Sequence, residues 1–209
     1  MGKPALALLK EAIMSTKVEI INKSLTLLGA APITSLTDDS NNARIMNRVY
    51  DPSLRSILSE CQWNFATKRK LLATSADTVE WYESGVTIVY ARPSDAVRIF
   101  STNSQNAIWR EEGDYIISDT SGLGVKYVYY LDTPSKYPES FVDAFVDRLA
   151  YDASFALLNN AKIAATYLEK YEKVTLPKAR AENAQTGTQQ AMQDDAWELA
   201  KYSNGSLNA

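Results

Sequence analysis

Residues 16–72 decide the fold: TKVEIINKSLTLLGAAPITSLTDDSNNARIMNRVYDPSLRSILSECQWNFATKRKLL. The stretch reads as helix, sharp turn, polar loop, long helix and an aromatic-rich exit into extended chain. Thr16 and Glu19 stand at capping-box spacing, so a helix starts near Lys17. Ile20, Ile21, Ser24, Leu25, Leu27 and Leu28 form one stripe at helical period. Gly29 follows the last of them, where a left-handed cap costs glycine least, and Pro32 stops any restart. Asp38 to Asn41 supply cap-rich chemistry for the second helix. Its predicted buried face is Ala43, Met46, Val49, Tyr50, Leu54, Ile57, Leu58 and Cys61. Pro52 lacks a donor and clashes one turn back, which predicts a kink or a break near Asp51. Trp63 and Phe65 are expected to seal the end of the helix against the core.

Downstream, the period changes. Val86–Ala91 is β-branched and aromatic, and 92–95 (RPSD) ends it with turn chemistry. Val97–Phe100 follows. Ala107–Arg110 and Tyr115–Ser118 flank Glu111-Glu112-Gly113-Asp114, a hairpin signal. Val125–Leu131 places Val125, Tyr127, Tyr129 and Leu131 on one side. Five or six short strands predict an antiparallel sheet, a small sandwich or a partial barrel. Helical period returns with Phe141, Phe145, Leu149, Ala153, Ala156 and Leu157, widened by Val142 and Val146, and Ser135 or Ser140 offers a cap. Ile163, Tyr167, Leu168 and Tyr171 open a last helix that Pro177 is expected to kink or divide.

This order resembles the tail tubular protein A family, the head-to-tail adaptors of short-tailed phages. Leu27, Leu28, Gly29, Pro32, Ile33, Ala43, Trp63, Phe65, Ala66 and Leu71 carry the likeness. So do the proline-aspartate turn, the Tyr-rich strand and the closing alanine-rich helices. It spans roughly Val18 to Tyr202 and rests on the order of several weak motifs. The resemblance implies an α+β fold: a helical bundle of N- and C-terminal helices with an inserted small antiparallel β-sheet or sandwich. The expected division is 1–15 as an N-terminal extension, 16–72 and 135–182 as the bundle, and 73–134 as the β part. Residues 183–209 are a C-terminal segment, flexible or ordered by a partner. It further implies a structural virion protein at the head–tail junction, made in the host bacterial cytoplasm. Such a protein forms a twelvefold homo-oligomeric ring between the portal protein and the tail nozzle protein, with tail fibres as further neighbours. DNA passes through its channel without sequence-specific binding.

Composition agrees with a binding or structural role. The chain has 209 residues, 45% hydrophobic and 22% charged, with a net charge of −3. That balance argues against a broad basic face that grips nucleic acid. There is no histidine and one cysteine, Cys61. This removes His-based acid/base catalysis, Ser-His and Cys-His nucleophiles, most zinc sites and any intrachain disulfide, so no cofactor is expected. Cys61 reads as a buried small hydrophobe. No run approaches the ~18 apolar residues of a membrane span. The apolar run in residues 1–15 is too short for a signal peptide, and Lys10 and Glu11 break it.

Candidate sites are few. Lys68, Arg69 and Lys70 form the densest basic cluster; they read either as an exposed strand start or as contacts to DNA phosphates or an acidic partner. Met192, Trp197, Leu199 and Tyr202 are the apolar residues of a polar C-terminal segment and the candidates for a portal interface. Trp197 is open to two readings, an anchor in a partner or packing on its own helices. Glu111, Glu112 and Asp114 would supply the carboxylates of a tail-associated glycan hydrolase, but read as a solvated turn. Glu139, Asp143 and Asp147 read as a solvated helix face. A head-completion connector of a long-tailed phage is the other alternative.

Overall fold

The computed structural model describes residues 16–77, 81 and 85–186. The protein is α+β. Helix α1 (Lys17–Leu27) begins with the predicted capping box: Glu19 N–H donates to Thr16 Oγ1 at 3.1 Å, and Thr16 N–H donates to Glu19 Oε2 at 2.7 Å. It ends in a Schellman turn, with Ala30 N–H bonded to Leu25 O at 2.9 Å and Gly29 N–H to Thr26 O at 3.1 Å. Gly29 holds φ +66°, which glycine adopts without Cβ strain. Leu27, assigned to the buried stripe, is instead 38% exposed, because it sits at the helix end on the side away from Leu25 and Leu28. Asn22 clamps the following loop, donating to Ile33 O and accepting from Ile33 N–H, both at 2.8 Å.

Helix α2 (Asn41–Glu60) is capped by Ser40, whose hydroxyl accepts from Ala43 N–H. It runs through Pro52 as one element, so of the kink or break expected there the break does not occur. A proline inside a helix costs about 3 kcal/mol. Met46, Tyr50, Leu54, Ile57 and Leu58 are all fully or almost fully buried, and each contributes about 1.5–3 kcal/mol. Packing therefore outweighs the lost hydrogen bond. Val49 and Cys61 are half-buried, at the margin of that face.

Helix α3 (Glu139–Leu158) packs against α1, α2 and the two helices that follow it. It is consequently enclosed over much of its surface, although Glu139 and Asp143 remain exposed as a solvated face requires. Asp147, expected on a solvated face, has a side chain only 1% exposed. Pro138 occupies its N-cap, so neither Ser135 nor Ser140 caps it, and Ser140 is buried in the first turn. Ala156 is exposed and Leu157 half-buried, since the core ends near Ser154. Asn159, left-handed at φ 48°, ends α3, and the Asn160 side chain caps α4 (Ala161–Lys170). A π turn (Tyr171–Thr175) joins α4 to α5 (Leu176–Gln185). The turn places Pro177 near the start of α5, where its ring and missing donor are tolerated.

The main core draws on all these helices. Trp63 and Phe141 meet edge to face at 5.0 Å, Phe65 and Phe141 at 4.7 Å, and Tyr137 and Phe141 at 5.1 Å. The Trp63 indole N–H donates to Ile57 O at 2.8 Å, which closes the end of α2 as expected.

Among the described residues six strands form two antiparallel sheets. The first has the order β1 (Thr67–Leu71), β6 (Gly124–Tyr129), β3 (Ala96–Thr102); the second has β2 (Ile88–Ala91), β5 (Tyr115–Ser118), β4 (Trp109–Glu112). Val125 and Tyr127 join Leu72, Tyr90, Ile99 and Ile116 in a second core cluster. Val128 and Leu131 belong to the helical core instead. Strand β6 is thus covered on both faces, which a one-sided alternation from Val125 to Leu131 does not describe. After Leu72 the chain crosses from one sheet to the other, and Ser75 N–H bonds Val89 O at 2.8 Å. The sheet therefore starts inside the 16–72 stretch, and α5 continues past residue 182. The 1–15 extension lies outside the described residues.

Candidate functional site: a basic cleft beside an edge strand

The predicted basic cluster forms β1, an edge strand exposed along most of its length. Its register on β6 sets Lys68 opposite Tyr127, Arg69 opposite Lys126 and Lys70 opposite Val125. The three basic residues have two different surroundings: Lys68 is held within the fold, whereas Arg69 and Lys70 both line a cleft at the end of the strand.

Lys68 is engaged within the fold. Its ammonium donates to Asp95 Oδ2 at 2.6 Å and lies 3.8 Å from the centre of the Tyr129 ring. The Tyr127 hydroxyl donates to the other Asp95 oxygen at 3.1 Å. Burial alone would raise the Asp95 pKa, but the Lys68 and Tyr127 hydrogen bonds hold it below the usual value. Burial and the Asp95 carboxylate push the Tyr127 hydroxyl up to about 12.

Arg69 and Lys126 differ. They are cross-strand partners of like charge, an arrangement that destabilises a sheet. Neither has an ion-pair partner among the described residues, nor has Lys70. All three line an open cleft of ≈ 640 Å³, whose other side carries Ser101, Thr102 and Asn103 from the end of β3. Asn103 braces this rim: it accepts from Gly124 N–H at 2.8 Å and donates to Gly122 O at 3.1 Å. A Cβ on residue 124 would lie 3.2 Å from Asn103 Cγ, so glycine permits the close approach. Three free cations beside hydroxyl and amide groups suit the oxygens of phosphates or carboxylates. They position such a partner without reading its sequence. Sequence reasoning found Arg69 and Lys70 but missed Lys126, which joins them only through strand register.

The acidic candidates are not gathered into a pair. Glu111 forms an ion pair with Arg92, and Glu112, its neighbour on β4, faces the other side of the strand. Gly113, at φ 59°, makes the turn beside Asp114. Glu139 starts α3, Asp143 lies 3.9 Å from Lys178, and Asp147 is buried against Lys170. Cys61 is half-buried rather than enclosed, and burial raises its thiol pKa, a direction that opposes nucleophilic reactivity. Among the described residues no three His, Cys, Asp or Glu side chains are grouped to hold a metal, and no helix is long and apolar enough to cross a membrane. Met192, Trp197, Leu199 and Tyr202 lie outside the described residues.

No protein-family model matches the chain, and no curated protein matches it.

Proposed function

We propose that this chain is a structural virion protein, a ring-forming adaptor of the tail tubular protein A kind that joins a portal to a tail nozzle and continues the DNA channel. In this reading it is not an enzyme. The helices from both ends of the chain act as one bundle body, and the paired sheets are the insertion it carries. The observation that carries the reading is the Arg69–Lys126 pairing, with Lys70 beside it: like charges kept together across edge strand β1 and its neighbour β6, with no ion-pair partner among the described residues. Such an arrangement costs stability and makes sense where an acidic surface or a phosphate backbone lies against it. A head-to-tail ring needs two unlike complementary patches on each chain. The basic edge supplies one, and the helical side of the molecule supplies the other. The order of sequence motifs across Val18 to Tyr202 supports the same family.

In the virion the C-terminal segment with Met192, Trp197, Leu199 and Tyr202 meets the portal. Binding of the portal ring of the same virus, measured for the full chain and for a chain ending at residue 186, tests this. Loss of binding on truncation is expected; unchanged binding contradicts the assignment of the portal contact.

A further inference from the structure

The described chain ends at the mouth of an apolar pocket. Trp63, Phe65, Pro138, Phe141 and Ala179 line a cavity of ≈ 310 Å³, with Thr186 at its rim. Thr186 is also the last described residue, and residues 187–209 continue from it. Its position is fixed by a polar knot. Asn64 N–H donates to Asn183 Oδ1 at 2.8 Å, and Asn64 Nδ2 donates to Asn183 O at 2.8 Å and to Thr186 Oγ1 at 2.6 Å. Asn183 Nδ2 donates to Gln62 O at 2.9 Å. These bonds pin the end of α5 to the 62–64 turn, so the chain leaves beside the pocket in a set place.

We propose that this pocket is the docking site of the chain's own C-terminal segment, with the Trp197 side chain seated against Phe65 and Pro138. Several features argue for that occupant. Half-buried Phe65 and exposed Pro138 give the cavity its apolar surface, and an indole placed on them extends the aromatic cluster whose buried members are Trp63 and Phe141. Trp197 is the largest apolar side chain of residues 187–209. Eleven positions separate it from Thr186, and an extended chain of that length spans roughly 35 Å, more than enough to return to the rim. A segment otherwise rich in Ala, Gln, Asp and Asn has no core of its own in which to bury an indole. The tethered ring meets the pocket at high effective concentration because its exit is fixed next to it. The inference concerns the isolated chain and does not depend on the adaptor reading.

The test uses the full chain with benzoylphenylalanine incorporated at position 197. After irradiation the adducts are mapped by mass spectrometry. Adducts on the peptides carrying Phe65 or Pro138, in the species of monomer mass, are expected. Adducts only elsewhere, only between two chains, or none above the unirradiated control overturn the proposal. A second measurement leaves every pocket residue intact. In Trp197→Ala, amide exchange across Asn64, Phe65 and Ala66 is expected to quicken by about threefold or more. Unchanged exchange there also overturns it.

Discussion

The Lys170 ammonium lies 2.7 Å from Asp147 Oδ1, and the two ends of this pair are unequally placed: the Asp147 side chain is 1% exposed and that of Lys170 is 45% exposed. Asp147 Oδ2 is buried with no hydrogen-bond partner among the described residues. Removing the lysine strands a buried charge, whereas neutralising the carboxylate does not. Lys170→Met is therefore expected to cost about 2 kcal/mol, below the roughly 3–5 kcal/mol of a fully buried pair because the ammonium is partly solvated. Asp147→Asn is expected to cost less. Urea unfolding of both variants measures the order, and the reverse order would contradict this account of the pair.

The basic cluster divides into structural and free cations. Lys68→Ala removes the contacts to Asp95 and the Tyr129 ring, and is expected to lower stability by about 1 kcal/mol. Arg69→Ala relieves the repulsion opposite Lys126, and is expected to leave stability unchanged or raise it by up to about 0.5 kcal/mol. Thermal melts at low and high salt check the contrast, with any gain from Arg69→Ala shrinking as salt screens the repulsion.

The Lys68–Asp95–Tyr127 group gives opposite pH dependences at its two acids. The Asp95 pKa is lowered in the fold, so its contribution is present above the unfolded carboxylate value and is lost as pH falls through the folded one. Tyr127 is raised to about 12, so its contribution is present below the ordinary tyrosine value and is lost as pH rises through 12. Carbon-detected titration of the Asp95 carboxyl, and ultraviolet titration of the wild type against Tyr127→Phe, read the two ends separately. Asp95→Asn is expected to remove its share of the acid slope and to bring the Tyr127 titration down towards the ordinary tyrosine value.

Trp63 closes the end of α2 through packing and one buried hydrogen bond. Trp63→Phe retains a ring but leaves the Ile57 carbonyl without its donor and opens space beside Phe141. A loss of about 2 kcal/mol in urea unfolding is expected.

Local chemistry made the start of the chain legible. The Thr16–Glu19 box, the Gly29 turn, the Ser40 cap and the hairpin at Gly113 each depend on a few adjacent residues, and each forms. What escaped the sequence depends on distant packing. Asp147 reads as solvated by its spacing from Glu139 and Asp143, and only the helices around α3 bury it. Pro52 reads as a kink or a break, and the enclosed apolar residues on either side of it explain why the helix is not broken. Lys126 reads as an ordinary strand residue until the register places it across from Arg69. The pocket beside Thr186 is assembled from three separate stretches of the chain, so no motif announces it.

Native mass spectrometry of the full chain, with and without the portal ring of its own virus, tests the central claim most directly. The adaptor reading predicts one assembly that gains about twelve copies of this chain, in step with the symmetry of the portal. No association at either low or physiological salt would contradict it.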